Sequence, residues 1–407
     1  MANSLLTINM ITREAIRLFR NTNSFLQHID MQYDGSFANV GAKIGTTLRI
    51  RYPNDYTVRT GAAASVQDTS ETSTTLTVAT QKGIDVSFSS LDRTMSLDDF
   101  SERVLAPMIN NLVGAVAADV MTGAESGTAN FVSRTDSSGN ILAPTADTWL
   151  AAKALLDLNS APTMGRKVIM DPITQSRTVS GLAGLFNPVA SISKQYETGE
   201  MYKALGFEWF MDQTTVKHTT ATYSGSLTVN GAGQTGTTLT VNAITGGLAA
   251  GDIITIASVN GVNRVTKQDT GQVRQFVVTA TAATGATSLS IYPAIIPAGA
   301  GGSQVQYQTV TASPANSAVI TVVTSSAQVY RKNLAYCPQA ITMVTADLEL
   351  PPAGVVEAAR EQFDGVSMRM ISAYNFQTDQ FATRLDVLYG YLFVRPEWVV
   401  AVADTVP

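Results

Sequence analysis

The chain has 407 residues, enough for two or three domains that each bury a core. Charged residues are 14% of it, where a globular protein carries about a quarter, and the net charge is -5, which argues against a dedicated nucleic-acid binder with a basic face. Cys337 is the single cysteine, so no intrachain disulfide can form. No uninterrupted apolar stretch is long enough to span a bilayer, and Arg13 and Glu14 arrive before any sustained apolar run. The expectation is a protein without a signal peptide, made in the cytoplasm.

Ile8, Ile11, Ala15, Leu18, Thr22, Phe25 and Ile29 predict a helical N-terminal arm, with Arg13, Arg17 and Arg20 on another stripe. That stripe is either a solvated basic face or a dock for an acidic partner. Leu48, Ile50 and Tyr52 alternate with Arg49 and Arg51, a strand with one wet face, and Pro53-Asn54-Asp55 turns it. Residues 60–75 are small, polar and too poor in apolar groups to pack. Leu76 and Val78, then Ile84, Val86 and Phe88, resume alternation, so two strand pairs are expected to flank a long exposed loop.

Residues 96–121 read as one long amphipathic helix. Ser96 can cap it, Asp98 and Asp99 suit its first turn, and Leu97, Phe100, Val104, Met108, Leu112, Val116 and Val120 share a face. Pro107 predicts a kink, Ala115, Ala117 and Ala118 a slim opposite side, and Gly123 the end. Beyond it, Trp149, Ala152, Leu155 and Leu156 fit a helix begun near Asp147. Residues 167–172 fit a buried strand ending at a proline, followed by a Gly- and Pro-marked stretch, and 207–211 another strand.

Composition shifts near Tyr223. Until about Ser325 there is no credible helix, and strands centre on 227–229, 239–241, 253–256, 276–278, 289–291 and 319–322. Asp252, Arg264, Lys267, Asp269 and Arg274 are the only charged residues between Tyr223 and Arg331. This predicts a separate all-β insert, a barrel or a sandwich, with residues 264–274 as an exposed loop. Residues 207–211 and 341–344 are expected in one sheet of the interrupted outer domain. Val366, Met368 and Met370, then 385–388, 392–394 and 398–402, add strands.

Chemistry is sparse. His28 and His218 have no cysteine or second histidine at metal-ligand spacing, and Cys337 reads as a buried inert thiol. Gly231-Ala232-Gly233-Gln234-Thr235-Gly236 matches G-x-G-x-x-G, but strand sequence follows instead of a helix, so it reads as a turn. No catalytic, metal or cofactor site is expected.

The layout resembles the major capsid (coat) proteins of tailed double-stranded DNA bacteriophages, most of all the short-tailed enterobacterial branch with a β-barrel inserted in the Hong Kong-type capsid fold. The resemblance rests on the order of residues 45–53, 76–88, 96–107, 346–351 (Ala346-Asp-Leu-Glu-Leu-Pro351) and 385–390 (Leu385-Asp-Val-Leu-Tyr-Gly390). It implies an α+β fold with an N-terminal arm (1–34), an extended loop with flanking strands (35–95), a discontinuous core of peripheral and axial domains (96–221 and 327–407) and the insert (222–326). It also implies pentamers and hexamers of this chain in an icosahedral virion shell, assembled in the host cytoplasm around DNA with a scaffolding and a portal protein. In that setting Arg13, Arg17 and Arg20 would face the interior, and Arg264, Lys267, Asp269 and Arg274 a neighbouring capsomer. Some such capsids cross-link through a lysine in the extended arm; Lys43 is the only lysine between Ser36 and Gln81, near the loop's base, so cross-linking is not expected. The competing readings are an encapsulin-like compartment, which the insert disfavours, and a secreted Thr/Gly-rich adhesin, which the helical arm disfavours.

Overall fold

The structure, a computed structural model, describes residues 8–33, 47–52, 55–56, 61–62, 73–89, 106–182, 201, 203–299, 305–352, 356–363 and 365–406. The chain divides into two compact units, one of Met1–Ile50, Ser73–Val120 and Ile341–Val394, the other of Arg51–Thr72, Met121–Ala340 and Arg395–Pro407.

In the first unit the strand Gln380–Phe393 is the hub. Thr383, Leu385, Val387 and Tyr389 alternate into the core, the period a half-buried strand requires. It pairs antiparallel with Val366–Asn375, Thr80–Ser89 and Ile341–Ala346. Glu357–Phe363 extends the sheet on one flank and Asp30–Tyr33, in parallel, on the other. Gly83 sits opposite Asp386, where a Cβ would collide with the Asp386 carboxylate and the Leu385 carbonyl, so only glycine passes there.

The helix Ile8–Thr22 lies on Glu357–Phe363 and Val366–Asn375. Its buried stripe is Thr12, Ala15, Ile16 and Phe19, one position round from the expected one, and Leu18 is only half-buried. The rotation places the bulky Ile16 and Phe19 in the core. Thr47–Arg51 pairs with Ser73–Thr77, but among the described residues Thr80–Ser89 makes no second local pair; it joins Gln380–Phe393 instead, along a longer front. The expected loop tip, Lys43 and the first part of the central helix (96–105) fall outside the described residues.

That helix is described over Ala106–Gly127. Pro107 is the second residue of that segment, and the preceding turn, against which a kink would form, falls outside the described residues. Gly123 does not end the helix: Met121 and Ala124 are buried, and packing carries the chain past a glycine that costs about 1 kcal/mol. Ile109, Val113 and Ala117 are buried beside Met108, Leu112, Val116 and Val120, so the alanine side is not all exposed. Tyr389 Oη donates to Asp119 at 2.5 Å and Lys82 Nζ to the Ala115 carbonyl at 2.9 Å, pinning helix to sheet.

The second unit holds a seven-stranded sheet in the order Asn130–Val132, Val399–Thr405, Val329–Tyr336, Lys167–Met170, Phe207–Met211 and Lys203–Ala204, with Lys217–Thr219 also on Val329–Tyr336. The helix Ala146–Leu158 starts at a Thr145/Thr148 capping box and buries Trp149, Ala152 and Leu156 against it. The helix Pro172–Leu182 occupies a stretch the sequence reading leaves irregular. Asp171 Oδ1 accepts the Ile173 N–H at 2.9 Å, and proline follows at the first helical position. A second correction concerns the insert's flanks. Phe207–Met211 is in this sheet and Ile341–Ala346 in the first unit's. The insert is closed off instead by Lys217–Thr219 pairing with Val329–Tyr336.

All six expected insert strands are present, in one sheet ordered Leu227–Thr228, Val319–Val322, Ile253–Val262, Asp269–Val278, Ser288–Ile295 and Gly236–Thr240. The first and last are joined too: Asn242 N–H donates to Thr228 O and Asn230 N–H to Thr240 O, each at 3.0 Å. The sheet is therefore a closed barrel, and closure removes its edges. Its interior is aliphatic but for Phe276. The Gly231–Gly236 segment is the turn between two of its strands, its glycines at positive φ around the Gln234 side chain. Residues 264–274 are not one exposed loop. A tight turn at 263–268, in which Asn263 Oδ1 accepts from Val265 and Thr266, leads straight into Asp269–Val278.

Candidate assembly surfaces

With no enzymatic motif to build from, the functional surfaces of this chain are what it exposes. In the first unit, Arg13 and Arg17 are solvent-facing on the N-terminal helix. Arg17 forks onto Glu14 one turn earlier at 2.9 and 2.5 Å, and its hydrogen bonds hold the Glu14 carboxyl below the usual range. Arg13 Nη2 lies 3.7 Å from Glu361. Arg20 is in the same helix, its side chain outside the described residues. The stripe is thus partly neutralised by neighbouring acids, and exposed pairs of this kind add only about 0.2–1 kcal/mol.

Sequence reading misses a second feature of this unit. The hairpin joining Val366–Asn375 to Gln380–Phe393 ends in Phe376, 80% exposed, next to Tyr374, 53% exposed. The tip is braced: Tyr374 Oη donates to Asp379 at 2.9 Å, the Tyr374 ring lies 4.9 Å from that of Phe381, and Asn375 Oδ1 accepts the Gln377 N–H. A rigid exposed aromatic is an economical contact, since burying it is worth about 1.5–3 kcal/mol. Three aromatics within eight residues were the available signal.

In the second unit, the insert's charged residues part company. Asp269 is exposed, its carboxyl held low by bonds from Asn260 and the Gly271 N–H. Arg264 turns inward: its Nε and Nη2 reach Asp55 at 3.1 Å each, and its Nη1 reaches Glu397 at 3.1 Å. Arg274 is half-buried, its Nη1 3.4 Å from Asn159 Oδ1. Lys267, at φ 56°, is half-buried in the same region. Arg264, Lys267 and Arg274 meet around one cavity, and Val265, 75% exposed, projects from the turn above.

The barrel is fastened to the seven-stranded sheet by polar bonds. The Gln275 amide gives and takes one hydrogen bond with the Phe131 backbone, at 2.9 and 2.8 Å, as a paired strand would. His218 Nε2 lies 2.8 Å from Asp252 Oδ1, both groups buried, while Asp252 Oδ2 accepts the Ala249 N–H at 2.8 Å. His218 is therefore a packing histidine. Cys337 is buried and burial raises its thiol pKa, an inert setting. Among the described residues no three His, Cys, Asp or Glu side chains converge as a metal site.

Comparison with solved structures gives the capsid of cyanophage P-SCSP1u, 10% identical over 95% of this chain and 89% of that one, with a TM-score of 0.49. Mycobacterium phage Che8 gives 13% identity over 93% and 90%, with a TM-score of 0.46. The CUS-3 coat protein I-domain is 33% identical over 24% of this chain and 96% of that one, with a TM-score of 0.20. No curated protein matches. The model of the P22 coat protein family, gene protein 5, matches residues 3–402. A match spanning both units and the barrel decides the matter: the chain belongs to that coat-protein family, as a non-catalytic, self-assembling capsid subunit with an α+β capsid fold and an inserted β-barrel.

Proposed function

We propose that this chain builds the icosahedral shell enclosing the double-stranded DNA of a short-tailed phage, as pentamers and hexamers of itself. The observation that carries this reading is the coat-family match over residues 3–402, which takes in both units and the barrel. Assembly takes place in the host cytoplasm, guided by a scaffolding protein and started from a portal. Within the shell, residues 1–34 act as the arm, 35–95 as the loop overlapping a neighbour, 96–221 with 327–407 as the core and 222–326 as the insert. The exposed Arg13 and Arg17, with Arg20, meet the scaffolding protein's acidic groups or the packaged DNA on the inner face. The turn at 263–268 with Asp269 meets the next capsomer, and the Phe376 tip inserts between subunits.

Electron microscopy of the full-length protein tests this. Closed shells are expected, with nuclease-protected DNA inside particles recovered from infection. Monomers that never close into shells, or shells filled with a protein cargo, would overturn it. Phe376→Ser is expected to leave the subunit folded and slow shell formation severalfold.

A further inference from the structure

The cavity beneath the turn at 263–268 has a charge balance that no described residue completes. Its volume is about 300 Å3, at the small end of ligand pockets. Among the described residues four cations line it, Arg264, Lys267, Arg274 and Arg395, against two carboxylates, Asp55 and Glu397. Both carboxylates are already engaged. Asp55 uses its two oxygens on Arg264, and Glu397 Oε1 is shared between Arg264 at 3.1 Å and Arg395 at 3.4 Å. Arg395 is further committed to the Tyr52 ring, 4.9 Å from its guanidinium carbon.

Arg274 and Lys267 are left over. Arg274 makes no ion pair with a described residue, and its buried Nε has no hydrogen-bond partner. Among the described residues neither Lys267 Nζ nor the Tyr292 hydroxyl, which also lines the cavity, has a hydrogen-bond partner. Burial holds the Lys267 ammonium below the ordinary lysine value and raises the Tyr292 phenol well above its own, so the phenol stays a donor at neutral pH.

We propose that this cavity binds a phosphate-class dianion, with Arg274 and Lys267 neutralising its charge and the Tyr292 hydroxyl donating a third bond. A dianion matches the surplus of two positive charges, and a tetrahedral oxyanion has acceptors for a guanidinium fork, an ammonium and a phenol together. The site draws on the tight turn, the barrel strand Asp269–Val278 and the strand Ser288–Ile295, all within one unit. It does not depend on the shell reading.

The test is titration of the full-length unassembled subunit with inorganic phosphate at constant ionic strength, followed by calorimetry and by the midpoint of thermal unfolding. Sodium chloride is the control and adenosine monophosphate a second arm. One saturable site is expected, with a raised midpoint, and Arg274→Met is expected to weaken binding at least tenfold. Without phosphate that variant should melt no lower than the parent, because it loses an unneutralised cation. Lys267→Met should weaken binding severalfold and serves alone if Arg274→Met fails to fold. Tighter binding of the monophosphate would identify a phosphomonoester, and equal or weaker binding free phosphate. Absence of a saturable site, or binding indifferent to both substitutions, would overturn the proposal.

Discussion

The barrel and the seven-stranded sheet belong to one unit, yet they are built in opposite ways. The barrel's six strands lie between residues 227 and 322, and its interior is apolar. The sheet gathers strands from residues 130 to 405 over an apolar core of its own, and one end of it is held by charge. Asp404, fully buried, accepts from Thr174 Oγ1 and Arg177 Nη1 at 2.8 Å each. Arg331 lies 3.1 Å from Asp171, and Asn333 Oδ1 accepts the Asp171 N–H at 2.9 Å. A region closed on its own bonds can fold on local information, whereas a sheet whose inner strand Val399–Thr405 pairs with Asn130–Val132 must first bring distant segments together.

Substitutions that break each region should show this. The largest effect is expected from Phe276→Ala, which empties the centre of the barrel at a cost of about 3–5 kcal/mol. Chemical denaturation followed by barrel amides should lose that stability while amides of the seven-stranded sheet keep most of theirs. Next comes Asp404→Ala, which strands Arg177 and Thr174 and should cost about 3 kcal/mol, with the sheet now the weaker region. Gln275→Ala removes the two bonds from barrel to Phe131, at about 1–2 kcal/mol; hydrogen exchange should then show the two regions opening more independently.

How far each region is legible in sequence follows the same division. All six barrel strands can be read from alternation and turn residues, because each pairs within the insert and its charged residues are few. The outer sheets resist. The pairing of Thr80–Ser89 with Gln380–Phe393 joins residues about three hundred apart, which alternation cannot specify. The helix Pro172–Leu182 hides behind a proline that reads as a terminator unless Asp171 is recognised as its cap. On the surfaces, Arg13 and Arg17 are exposed as their stripe suggests, but Arg264 is not free, because Asp55 and Glu397 come from remote segments.

The smallest expected effect sharpens the electrostatic side of the contrast. Hydrogen bonds from Lys203 and then Lys167 hold the Glu208 carboxyl below the ordinary range. A depressed carboxyl contributes stability above its unfolded value, about 4.3, that is lost as pH falls through the folded one. Glu208→Gln should therefore cost less than about 1 kcal/mol at neutral pH and flatten the acid limb of the sheet's stability curve below about pH 4. An unchanged acid limb would mean that these pairs contribute nothing.

The measurement that bears most directly on the contrast is the nuclear magnetic resonance spectrum of residues 222–326 expressed alone, recorded with their thermal unfolding. The closure bonds between the first and last strands predict dispersed amide resonances, slow exchange at Val229 and Val241, and one cooperative transition. Collapsed resonances at neutral pH, with no transition, would show that the barrel needs its host sheet, and the contrast between a self-closed insert and a chain-spanning sheet would fail.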